Sequence, residues 1–215
     1  VVTILLPPPT RSLSPIFATI PAGASIVRIF DPTDHGATST GFRFFGPLRR
    51  FDHHRAFVRS GAQDPERGIY YAALTFDGAL VEVFGDNGPK LVEPGNREVC
   101  APILSRQLRL LDLRGQGADN GAWRAGSVDA LSKNADYQPS QAWSRYFYDH
   151  PELYSMVDGI MYGNAHNGDD ALALYERAAQ AVLCSAQETI RLDDPALRIA
   201  LLAACLRLGL TPSVM

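Results

Sequence analysis

Short runs of β-branched and aromatic residues punctuate this chain, and longer stretches with the helical period separate them. "SIVRIF" (25–30), which ends at Asp31-Pro32, reads as the first strand, and "GIYYAAL" (68–74), "LRLLDL" (108–113) and "GIMY" (159–162) read as later ones. After the second strand an apolar run from about Thr75, whose hydroxyl could cap it, to Asp86 has the pattern of a helix. Further helices are expected around 126–134 and 140–148, the latter opening "PSQAW" with Ser140 as its cap. Asp194 as cap, Pro195 in the first turn and Gly209 as stop mark a C-terminal helix, 194–208. That helix is apolar on most sides, so it is either buried or a surface for self-association. Residues 1–24, rich in Pro, Ser and Thr, read as an extended arm. The stretch from 31 to about 66 has no sustained period, yet its aromatics Phe42, Phe44, Phe45 and Phe51 favour a long ordered loop. There is no internal repeat, so the expectation is one α+β domain over 25–215 behind the arm.

One charge stands out against this pattern. In "RGIYYAALTFDGALVEVFGD" (67–86), Glu82 lies between Leu80-Val81 and Val83-Phe84. On a helix Leu80 and Phe84 share a face and Glu82 points away from it, which fits a solvated residue. It fits equally a carboxylate beside a cleft, where apolar neighbours strengthen its field on developing positive charge.

Bulk properties narrow the chemistry. With 215 residues, 46% of them hydrophobic, the chain can bury one substantial core. A net charge of -3 argues against a protein that coats nucleic acid. Cys100, Cys184 and Cys205 are odd in number and form no CxxC pair, so neither a disulfide framework nor a structural zinc site is expected, and a cytoplasmic setting is the default. "IALLAACL" (199–206) is too short to span a bilayer, and the opening "VVTILLPPPT" lacks the features of a secretory signal. "GQGADNG" (115–121) misses the dinucleotide-binding glycine spacing, and no nucleophile elbow, Walker loop or H-E-x-x-H occurs. "RFDHHR" (50–55) offers Asp52, His53 and His54 as ligand types. Adjacent histidines on extended backbone point apart, however, and the likeness to DHH phosphoesterases ends with this triplet, so packing or hydrogen bonding is the expected role.

Three blocks remain: Arg28 with "FRFFGPLRRFDHHR" (42–55); "RGIYYA…LVEVF", with Tyr71 and Glu82 eleven residues apart; and "AWSRYFYDHPEL…DGIMY" (142–162). In this order they resemble the RES-domain family, over about 25–180. The resemblance implies an ADP-ribosyltransferase-like split β-sheet core with flanking helices. It also implies a toxin that degrades NAD and is paired with an Xre-type antitoxin. Carried over by position, Glu82 is the expected catalytic carboxylate, Arg28 and Arg50 line the NAD pocket, and Tyr71 lies against a ring; Arg43, His53 and Tyr162 complete the expected substrate contacts. On residues alone, Arg28 could equally pair with a surface carboxylate, Arg50 cap a loop and Tyr71 fill a core. The family usually has a serine just after the "GI-x-Y" strand; here Asn164 stands there, able to donate and accept hydrogen bonds, with His166 and Asn167 in the same loop.

The implied chemistry suits these residue types. An arginine fork pairs with pyrophosphate oxygens, and a tyrosine face stacks on a base or nicotinamide. The nicotinamide of NAD is already cationic while attached and leaves neutral, so it needs no general acid and one carboxylate suffices to stabilise the oxocarbenium-like ribose. The expected enzyme is an NAD glycohydrolase or phosphorylase, using water or inorganic phosphate as acceptor and NAD as substrate rather than cofactor, with no metal. The alternatives are a catalytically silent RES-like binding module and an ADP-ribosyltransferase acting on a macromolecule.

Overall fold

The structure, a computed structural model, describes residues 3–55, 61–85, 91–184 and 188–213. Along the chain come β1 (Phe17–Ile20), β2 (Arg28–Phe30), β3 (Phe45–Gly46), β4 (Ala62–Gln63), β5 (Ile69–Ala73), β6 (Leu91–Val92), β7 (Glu98–Cys100), β8 (Ile103–Leu104) and β9 (Leu108–Asp112). They continue with β10 (Gly159–Gly163), β11 (Asp170–Tyr175), β12 (Val182–Leu183), β13 (Ile190–Arg191) and β14 (Thr211–Pro212). The helices are α1 (Phe76–Phe84), α2 (Gly121–Arg124), α3 (Gln138–Asp149), α4 (Pro151–Tyr154) and α5 (Arg198–Leu208). This is a single α+β domain.

A five-stranded sheet in the order β1-β9-β10-β11-β5 forms its centre. The β9–β10 pair is parallel and the other pairs are antiparallel. Both faces are covered, and β11 shows how: Ala171, Ala173 and Tyr175 join the core that holds Trp143 and Phe147 of α3, while Leu172 and Leu174 join the core on the opposite face with Tyr70 and Leu110. Period-two alternation thus serves two cores at once. A smaller sheet, β13-β7-β2, lies beside α1 and α5 around a third core containing Leu80, Phe84, Val99, Leu201 and Cys205. The Val27–Ala73 bridge ties the entry of β2 to the end of β5.

Helix α1 forms where the pattern places it. The Thr75 hydroxyl accepts from the Gly78 amide at 3.0 Å, capping the first turn, and Leu80, Val81 and Phe84 are buried. Asp86 lies outside the described residues. Several elements differ from the sequence expectation. The 126–134 segment is not an α-helix: a 3-10 turn at Asp129–Ser132 follows α2, which Asn120 caps through the Trp123 amide. Ser140 does not cap α3, which begins two residues earlier with Pro139 in its first turn; the Ser140 hydroxyl instead donates to the Leu131 carbonyl at 2.7 Å. The N-terminal arm supplies strand β1 at the sheet edge, and its upstream part is tied down by Trp143, whose indole N–H donates to the Leu5 carbonyl at 2.7 Å. The C-terminal helix opens as a 3-10 turn capped by Asp194 and ends at Gly209, whose φ of +64° is the left-handed stop. It buries Leu201, Ala204 and Cys205 and leaves Ile199 and Leu206 exposed. Among the described residues no helix is long and apolar enough to cross a membrane.

Candidate active site

A cleft of about 470 Å³, within the range of small-molecule sites, opens where β2, the 31–43 segment, β5, α1 and the turn after β10 converge. Five arginines (Arg28, Arg43, Arg49, Arg50 and Arg97) and three carboxylates (Asp31, Asp34 and Glu82) line it. A protein with net charge -3 thus concentrates positive charge in one cleft, which selects for an anionic ligand.

Arg28 is the most constrained of the five. It sits on β2 opposite Cys100 of β7, is 8% exposed, and lies with its guanidinium carbon 4.2 Å above the Tyr70 ring and 5.5 Å from Phe30. Its Nε is buried without a hydrogen-bond partner. Burial pushes its pKa below the ordinary value, yet a guanidinium remains charged in proteins. A buried cation with an unfilled donor is costly unless an anion completes it.

Glu82 lines the same cleft from α1. Leu80 and Phe84 anchor α1 in the core while the partly buried Glu82 side chain lines the cleft, so the apolar run holds the helix in place. Behind it, Tyr162 of β10 donates its hydroxyl to Glu82 Oε1 at 2.9 Å and packs its ring 4.6 Å from Phe51. Burial first, then the adjacent carboxylate, pushes the Tyr162 phenol well above its ordinary pKa, so it stays a donor. Tyr162 therefore supports Glu82 from behind and is not part of the cleft lining.

The other expected residues divide. Tyr71 lines the cleft, but its hydroxyl is not free: it donates to Asp52 at 2.9 Å and accepts from the Phe51 amide at 2.9 Å, leaving the ring as the surface on offer. Arg43 also lines the cleft, with Nη2 at 2.8 Å from both oxygens of Asp52 and Nη1 bonded to the Phe45 carbonyl. Arg50 lies 4.8 Å over Tyr137 and donates to the Asn134 carbonyl. Two further expected residues also lie outside the cleft lining. His53 is wholly buried away from the cleft lining, with Nε2 3.0 Å from Glu176 and its ring 4.5 Å from both Tyr148 and Tyr175. The Asn164 amide is spent inside its own turn: Oδ1 accepts from the His166 and Asn167 amides, and Nδ2 donates to Asn167 Oδ1 at 2.7 Å. What Asn164 does is carry Ala165 and His166 to the cleft wall.

Tyr137, His35 and Arg97 also line the cleft and carried no signal in the sequence. His35 stacks on Phe45 at 4.8 Å from a left-handed backbone position, φ +53°. Among the described residues no group of three His, Cys, Asp or Glu is placed to hold a metal ion. His53 and His54 rings are 6.0 Å apart in separate surroundings.

The family model of the RES domain matches residues 23–195. A chain in the crystal structure of the M. tuberculosis MbcT-MbcA toxin-antitoxin complex has a similar fold, with a TM-score of 0.53 and 15% identity over 86% of this chain and 92% of that one. No curated protein matches.

Proposed function

The chain belongs to the RES-domain family, and from that premise we propose that it is an enzyme that cleaves the nicotinamide-ribose bond of NAD, the toxin of a toxin-antitoxin pair acting in the cytoplasm. The observation that carries this reading is the joint lining of one cleft by Glu82, held by Tyr162, and by the buried and incompletely bonded Arg28. In this reading the pyrophosphate of NAD fills the Arg28 donor, with Arg50 beside it, and the Tyr71 face packs on a ring. Glu82 lies by the ribose and stabilises the oxocarbenium-like state as neutral nicotinamide departs with the bonding pair. Water or inorganic phosphate then attacks the sugar, giving ADP-ribose or its 1-phosphate. The partner proposed for the toxin is an Xre-type antitoxin; the complex containing the similar fold is itself a toxin-antitoxin assembly.

The test is nicotinamide release from NAD by purified protein, with and without phosphate, beside Glu82→Gln. The glutamine still accepts from Tyr162, so the variant folds, and turnover falls at least about 100-fold, the scale of a lost transition-state electrostatic contact. Dependence on phosphate identifies the acceptor. Release that survives Glu82→Gln overturns the assignment, and no release from folded wild type leaves a silent binding module.

A further inference from the structure

The triplet Asp52-His53-His54 finds its use in the carboxylate of Asp52. That side chain has no exposed surface. Both of its oxygens accept from Arg43 Nη2 at 2.8 Å, Oδ1 accepts from the Tyr71 hydroxyl at 2.9 Å, and Oδ2 accepts from the amides of Leu48 at 2.5 Å and Arg49 at 2.9 Å. Three of these donors belong to residues that line the cleft: Arg43, Arg49 and Tyr71.

We propose that Asp52 is a positioning residue for the substrate: it neutralises Arg43 and locks Tyr71 by its hydroxyl, so that Tyr71 presents a fixed ring face while anion binding is left to Arg28 and Arg50. The inference rests on the NAD reading of the same cleft and adds a division of labour within it. A paired arginine with both η nitrogens engaged is a strut rather than a phosphate ligand, whereas Arg28 retains an unfilled donor. A tyrosine clamped between the Phe51 amide and Asp52 cannot swing its ring without breaking two hydrogen bonds. The ring-recognising part of the cleft therefore depends on Asp52, whereas the Arg28 guanidinium, on β2, rests against Tyr70 and Phe30 instead.

That asymmetry gives a readout that general loosening of the fold would not produce. Calorimetric titrations use the Glu82→Gln protein, which does not consume its ligand, with NAD and with inorganic pyrophosphate. Adding Asp52→Asn keeps the shape but removes the charge; NAD affinity should fall about tenfold, the scale of one hydrogen bond to a charged group. Pyrophosphate affinity should hold or rise, because Arg43 is left unneutralised. Tyr71→Phe, which cuts the same link while sparing the other donors to Asp52, should lower NAD affinity equally even if Asp52→Asn fails to fold. The two changes combined should cost no more than either alone, as for residues acting through one contact. Parallel loss of NAD and pyrophosphate, additive losses, unchanged NAD affinity, or no NAD binding in the Glu82→Gln protein would each overturn the proposal. If the ligand split appears while wild type releases no nicotinamide, the positioning role stands and the catalytic reading falls.

Discussion

Arg28 and the pair His53-His54 are both buried, both polar and both incompletely hydrogen-bonded, yet they lie in opposite situations. The unfilled atoms are Nε of Arg28, a residue of the cleft lining, and His53 Nδ1 and both ring nitrogens of His54, residues outside that lining. Burial drives the histidines toward neutrality: His53 is pushed below its ordinary pKa, and His54 is pushed down to about 4. A neutral imidazole in a packed interior avoids the cost of a buried charge, because it sheds the proton instead of burying it. Arginine has no such escape. Two orphan polar groups of similar burial thus carry different information: burial shifts the histidines toward the neutral form, whereas Arg28 keeps its charge.

The comparison breaks most visibly at Arg28. Arg28→Met removes the cation but keeps bulk; nicotinamide release should fall about 100-fold while the melting temperature holds or climbs by a few degrees, since an unpaired buried charge is a cost to folding. A fall in both, measured by nicotinamide assay and thermal melt, would make Arg28 a structural residue instead. Glu176 should behave in the opposite way. It accepts from Tyr148 at 2.5 Å, bonds His53 at 3.0 Å, and these contacts hold its carboxyl below the usual range against the upward push of burial. Glu176→Ala should cost about 2–4 kcal/mol in denaturant unfolding, because it strands buried partners, while the folded protein keeps its turnover within about threefold. The smallest effect is on pH. Burial lowers both histidines below their ordinary 6.5 in the fold, His54 to about 4, so the unfolded state binds more protons through the window from 6.5 down to about 4 for His54. Stability should therefore decline as pH falls through that window and be insensitive to these groups above it. Denaturation midpoints at about pH 7.5 and about pH 5 read this directly, and an unchanged midpoint would mean that the histidines titrate normally in the fold.

Much of the frame is legible in the sequence where local pattern and tertiary demand agree. The Thr75 cap, the apolar face of α1, and the runs that become β5, β9 and β10 are such places. Strand β11 is the instructive omission. "DALALY" is built largely from alanine and leucine, residues of high helix propensity, and becomes a strand because it is enclosed between β10 and β5 and buried on both faces. Strand β1 is hidden for the same reason, since its pairing with β9 lies far along the chain. At the site, Arg28, Tyr71 and Glu82 were suggested by the family's residue order, and no periodicity could have brought them together. Position alone could not show that the Asn164 amide closes its own turn or that Tyr162 stands behind Glu82.

The route of the sheet has a kinetic consequence. Strand β5 is joined to the central sheet through β11, with Ile69 opposite Tyr175, and β11 in turn pairs with β10. Contacts so distant in sequence form late and slowly, because much chain must be ordered before they are rewarded. On the ribosome the order is stricter still. A nascent chain that has exposed Arg28, Tyr71 and Glu82 has yet to synthesise the strand that brings Tyr162 behind Glu82. The cleft is therefore a product of nearly the whole domain, and a growing chain carries its lining residues without an assembled cleft until Asp170–Tyr175 has emerged.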